Sequence, residues 1–138
     1  MKRLAKVLVL SGKKVLVIEQ FRKQQINKTT IELPGGNIEE GESPLEAAKR
    51  ELQEETGIKS NDFILLGKFI NSNNSIEVTL FFTNEIENLG GQKLDKDENI
   101  TVQYHSIPTV FDNISSGKWD DIRLGMSMII ARGRGLLT

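Results

Sequence analysis

Cysteine is absent from all 138 residues, which excludes a disulfide framework, a thiol nucleophile and any Cys-ligated zinc or iron–sulfur centre. Histidine occurs once, as His105, so a multi-histidine metal site is excluded and a single imidazole remains for acid–base work. No apolar run approaches the ~18 residues of a membrane span, and Met1 leads into no signal-peptide pattern. A cytoplasmic protein without a membrane anchor is therefore expected. Charge of one sign is not in excess either. The 18 basic and 19 acidic residues leave a net of −1, which makes nucleic acid an unexpected partner. What remains, 38% hydrophobic and 27% charged, is an ordinary globular composition, and the length suits one domain over residues 1–138.

The charges are unevenly placed. Over residues 1–30, eight basic side chains stand against Glu19 alone, a net of +7, which leaves −8 for the rest. Over residues 39–55, seven acids meet only Lys49 and Arg50, a net of −5. A basic arm beside an acidic segment is often just a pair of solvated faces, so the spacing of the acids has to decide.

Residues 2–10 and 15–20 are rich in Val, Leu and Ile, with Ser11-Gly12-Lys13-Lys14 between them reading as a hairpin turn. A polar loop leads to a short strand over residues 30–33, halted by Pro34-Gly35-Gly36, where proline removes a ladder donor and glycine opens positive φ. Ser43 reads as a helix N-cap, with Pro44 at the first helical position and Glu46 placed to complete a capping box. Gly57 closes that helix. Further strands are predicted at 63–70, 76–84 and 100–106, a charged loop at 87–99, and helices at 108–115 and 121–132. The order is that of one α/β domain.

At 100° per residue, with Glu51 as origin, Glu55 lies at about +40° and Glu54 at about −60° on the helix over residues 44–56. Ala48, Leu52 and Leu45 follow at about +60° to +120°, so the acidic face borders the apolar face instead of opposing it. Like charges at this spacing destabilise a helix, more so when partly buried. A cation would offset that cost, and oxygen-only ligands favour Mg²⁺ or Mn²⁺ over zinc. An exposed acidic helix, the competing reading, would carry these acids on the far side.

From Gly36, five residues lead to Glu42, seven more to Arg50-Glu51-Leu52, one to Glu54-Glu55 and one to Gly57-Ile58. These 23 residues fill nine fixed positions, and the segment resembles the signature of the Nudix hydrolases. The resemblance implies an α/β/α Nudix sandwich, a mixed β-sheet flanked by helices. It also implies Mg²⁺- or Mn²⁺-dependent hydrolysis of a nucleoside diphosphate linked to another moiety. Carried over residue by residue, Glu51, Glu54 and Glu55 would bind metal, with the Gly35 carbonyl as a main-chain ligand. Arg50 would orient the glutamates, and Glu42 would brace the loop against the helix. Glu54 and Arg50 thereby become catalytic candidates.

Outside that segment the chain resembles the ADP-ribose pyrophosphatase branch of the family. Gln20-Phe21-Arg22 is similar to its Gln-Tyr-Arg, and Glu32-Leu33-Pro34-Gly35-Gly36 to its Glu-Leu-Pro-Ala-Gly. Asp97 to Val102 resembles the acidic loop that supplies a further catalytic glutamate, here Glu98, and Gly117-Lys118-Trp119-Asp120 resembles the turn before the last helix. By this resemblance Arg22, Glu32 and Gly36 are substrate-contact candidates, with Lys23 beside them, and a small-molecule nucleotide sugar is the expected substrate. Two departures stand out. No proline lies between Pro44 and Pro108, where the branch carries one, and the amino-terminal strands that many members exchange across a dimer are not expected. A homodimer stays open. So do two other functions: a nucleoside triphosphate or capped-RNA pyrophosphohydrolase, and a nucleotide-sensing module without turnover. His105, Trp119 and Phe111 read as sheet and packing residues, Arg132 and Arg134 as charges facing a helix C-terminus, and Met126, Met128, Ile129 and Ile130 as core.

Overall fold

The computed structural model describes residues 1–22, 28–95 and 98–138, with only the backbone of Arg22 included. In chain order the elements are β1 (Lys2–Ser11), β2 (Lys14–Arg22), β3 (Lys28–Glu32), β4 (Gly35–Asn37), α1 (Pro44–Thr56) and β5 (Ile58–Lys59). There follow β6 (Ile64–Ile70), β7 (Ile76–Thr83), β8 (Glu87–Asn88), β9 (Ile100–Ser106), α2 (Ile107–Ser115) and α3 (Ile122–Gly133). Seven strands make one mixed sheet: β1 and β7 run parallel, and every other pairing in it is antiparallel.

Strand β1 is apolar on both sides because both of its faces are covered. Leu4, Leu8 and Leu10 point into one core with Val110 of α2 and with Leu124, Met128 and Ala131 of α3. Ala5, Val7 and Val9 point into the other, against Ala47, Ala48 and Leu52 of α1. Helices therefore lie on both faces of the sheet, as the sandwich expectation required. Each fully buried Val, Leu or Ile contributes about 1.5–3 kcal/mol, so this double burial fixes β1 as the spine of the molecule.

The sheet forks. β1 pairs with β2 only from Val9↔Leu16 to Ser11↔Lys14. Beyond that point β4 takes the edge of β1, with Lys6 opposite Gly35, and β3 takes the edge of β2, with Ile18 opposite Glu32. The turn at Leu33-Pro34 joins β3 to β4 and lies in the opening. The amide of Phe21 donates to the Asn99 carbonyl, which brings the loop preceding β9 to the same place.

Four differences from the sequence reading have physical causes. Gly35–Asn37 is a strand only because β1 supplies its ladder, since Gly-Gly-Asn has no strand propensity. Inside the predicted 87–99 loop, Glu87–Asn88 pairs with Ile58–Lys59, again on a partner remote in sequence. Met126 and Ile129 are exposed and not core, because α3 buries a stripe through Leu124, Met128 and Ala131. Arg134 does more than face a helix end: its guanidinium donates to the Leu65 and Leu66 carbonyls at 2.9 Å each and ties the chain end to β6.

Candidate active site

Helix α1 begins as its sequence dictates. Ser43 Oγ accepts from the Glu46 amide, Glu46 Oε1 accepts from the Ser43 amide, and Pro44 sits where no donor is needed. The helix ends at Gly57, φ 74°. Its acids grade from buried to open in the order their angles predict: Glu55 is 4% exposed, the Glu51 side chain 16% and that of Glu54 39%.

Arg50 spans this face. Its Nε and Nη2 make a forked pair to Glu42 at 2.7 and 3.0 Å, and Nη2 also reaches the Asn37 carbonyl. Nη1 donates to Glu51 at 3.0 Å and to Glu54 at 3.2 Å. Those bonds, the one to Glu42 first, hold the guanidinium in its charged form, and Arg50 in turn lowers the pKa of Glu42.

The Gly35-Gly36 start of β4 fits the helix at close range. Gly35 has φ 141°, and a Cβ there would lie 2.1 Å from the Ala5 carbonyl oxygen; at Gly36 it would lie 2.8 Å from the Glu51 carboxylate. Only glycine lets β4 sit between β1 and the acids. The Gly35 amide donates to Glu55 Oε1 at 2.7 Å. Burial still pushes the Glu55 carboxyl up to about 8, against the opposing pull of Lys6 and of that amide, while Glu51 and Glu98 add to the rise. Burial raises Glu51 as well, partly offset by Arg50.

Across the fork, Lys6 and Glu32 form a buried ion pair at 3.2 Å, with Thr30 Oγ1 donating to the other Glu32 oxygen at 2.6 Å. From sequence, Lys6 is one charge among the eight of the basic arm. The available signal was its position: one cation inside the apolar run Leu4 to Leu10. Glu98 sits on the facing loop, where its carboxylate accepts from the Asp95 amide. Together these residues line an open cavity of about 460 Å³ with Gln20, Asn37 and the start of α3, so that six acids face Lys2, Lys6 and Arg123.

Of the residues singled out from sequence, Glu32, Gly35, Gly36, Glu51, Glu55 and Glu98 meet at this cavity. Arg50 lies behind it, bonded to Glu51, and Glu54 points at Arg50 instead of lining it. Arg22 ends β2 opposite Lys28, and its side chain, like Lys23 and Asp97, lies outside the described residues. His105 is a packing residue, its ring edge-on to Trp119 at 4.9 Å and bonded to Gln103. Phe111 lies under the Arg132 guanidinium.

The donor set suits a hard divalent cation. It is all oxygen, and it holds a carboxylate, Glu55, whose charged form burial disfavours more than Lys6 and the Gly35 amide stabilise it. Among the described residues no three acidic side chains converge on one point as they stand, since Arg50 holds Glu51 and Glu54.

A NUDIX domain model matches residues 1–123 of the chain. The ADP-ribose pyrophosphatase of Bacillus subtilis is 35% identical over 92 residues, which cover 64% of this chain and 49% of that protein. An RNA pyrophosphohydrolase of Bartonella henselae is 55% identical over 38 residues, 28% of this chain and 22% of that protein. The chain thus spans about half, or less, of the length of these curated relatives. Among solved structures, an ADP compounds hydrolase superposes with a TM-score of 0.83 at 18% identity, covering 98% of this chain and 75% of that one, which shows a shared fold.

Proposed function

This chain belongs to the NUDIX domain family, and we propose on that premise that it hydrolyses the pyrophosphate bond of a nucleoside diphosphate linked to a second moiety, ADP-ribose or another nucleoside diphosphate sugar. The observation that carries the proposal is that Glu51, Glu55 and Glu98 line one cavity, in the fork of the sheet, with Gly35 and Gly36 of β4. Similarity to the Bacillus ADP-ribose pyrophosphatase supports the sugar-nucleotide substrate.

Mg²⁺ or Mn²⁺ would be held by Glu51, Glu55 and the Gly35 carbonyl, with Glu54 beside them. When bound it supplies charge neutralisation at the phosphoryl oxygens and acidifies water. The chain's own residues do the rest. Arg50 fixes the rotamers of Glu51 and Glu54, and Glu42 fixes Arg50 against the loop carbonyl of Asn37. The Gly35 amide orients Glu55. Glu98, on the opposite wall, accepts the proton of the attacking water, and Lys2 and Arg123 at the rim face the diphosphate.

A panel of nucleotides with and without Mg²⁺ tests the assignment. AMP release from ADP-ribose that requires the metal is the expected outcome. Preference for a nucleoside triphosphate or a capped RNA would favour the second reading, whose RNA arm the match to the Bartonella RNA pyrophosphohydrolase supports. Binding without turnover would make the chain a nucleotide sensor. A homodimer would have the apolar surface between β6 and α3 at its disposal, where Phe69, Ile122 and Met126 are exposed and line one cavity.

A further inference from the structure

Lys6 lies at the centre of β1, in the otherwise apolar stretch Leu4 to Leu10, and is 5% exposed. An ammonium so placed is strongly unfavourable unless every donor is used. All three are used. Nζ donates to Glu32 Oε1 at 3.2 Å and to the Leu33 and Gly35 carbonyls at 3.3 Å each. Its stem runs over Gly35, where a Cβ would meet Lys6 Cδ at 2.8 Å. The two polar groups of Gly35 are thereby divided, its N–H held by Glu55 and its C=O by Lys6. The most buried acid of α1 and the buried cation of β1 are coupled through one residue.

We propose that Lys6 is a positioning residue that acts as the site's built-in cation: it holds the Gly35 carbonyl and Glu32 in place, and it weakens the binding of a divalent ion that must share the Gly35 carbonyl oxygen. The proposal rests on the metal-dependent reading of the site above. Two cations directed at one carbonyl repel, and the repulsion is stronger inside a protein than in water. Lys6 therefore gives up metal affinity for a bowl that stays assembled when metal is withheld. A structural role alone would lower stability on substitution without tightening metal binding.

The test is calorimetric titration with Mn²⁺ alone, on the wild type, Lys6→Met, Lys6→Gln and Lys6→Arg, paired with Tm in EDTA and in Mn²⁺. Lys6→Gln keeps a donor for the carbonyls while removing the charge, so it stays informative should Lys6→Met fail to fold. Lys6→Met and Lys6→Gln are expected to bind Mn²⁺ about tenfold tighter, with a wider Tm gap between Mn²⁺ and EDTA. Lys6→Arg, with its charge kept, is expected to bind as the wild type does. Equal or weaker binding by folded Lys6→Gln overturns the role of Lys6 and leaves the metal site standing. Absence of Mn²⁺ binding by the wild type overturns the site reading and this proposal with it.

Discussion

Glu55 is the residue on which the account leans hardest. With its carboxyl pushed up from 4.5 to about 8 by burial, the folded chain keeps a proton there that the unfolded chain has released. Folding stability therefore falls as pH rises through that window, by on the order of a few kcal/mol. In EDTA, thermal melts should show Tm declining from pH 5 to pH 8. Glu55→Gln, whose amide oxygen can still accept from Gly35, should flatten the decline. A second prediction concerns Arg50, whose planar fork serves Glu42, Glu51, Glu54 and Asn37 at once. Arg50→Lys keeps the charge and loses the fork, so kcat/KM should drop about 10–100-fold with folding intact. At this scale the sequence was partly legible. The helix angles placed the acidic face beside the apolar one, and Glu55, nearest in angle to Leu52, is the most buried of the three acids. Lys6 was not legible as a site residue, because its burial depends on β4 crossing from thirty residues away.

Among the elements, α1 was readable to the residue from Pro44 to Thr56, since both of its ends are set by local chemistry. Strand β4 was not, since only its pairing with β1 makes it a strand. The same pairing makes Gly35 a position without alternatives. Gly35→Ala would drive a methyl onto the Ala5 carbonyl at φ 141°, and denaturant unfolding should show a loss of more than about 3 kcal/mol. Ser43→Ala removes only the bond to the Glu46 amide at an exposed cap and should cost about 1 kcal/mol. A contrast of that size between two small substitutions would show that the fork, more than the helix, limits the site's assembly.

For the whole molecule, the net charge of −1 hides a division that the fold puts to use. The acidic segment supplies Glu51 and Glu55 to the lining of the cavity, and the basic arm supplies Lys2 and Lys6 to the same lining. The sequence made the division visible, but the forked sheet that brings the two segments to one cavity could not be read from it. Among the described residues, no helix is long and apolar enough to cross a membrane. AMP release from ADP-ribose in Mg²⁺ tests whether the fork is a metal-dependent pyrophosphohydrolase site. The wild type, Glu54→Gln and Glu55→Gln should be compared at equal folded concentration. Metal-dependent release by the wild type is expected, with a loss of roughly two orders of magnitude or more in each variant. Unchanged metal-dependent turnover in both variants would contradict it.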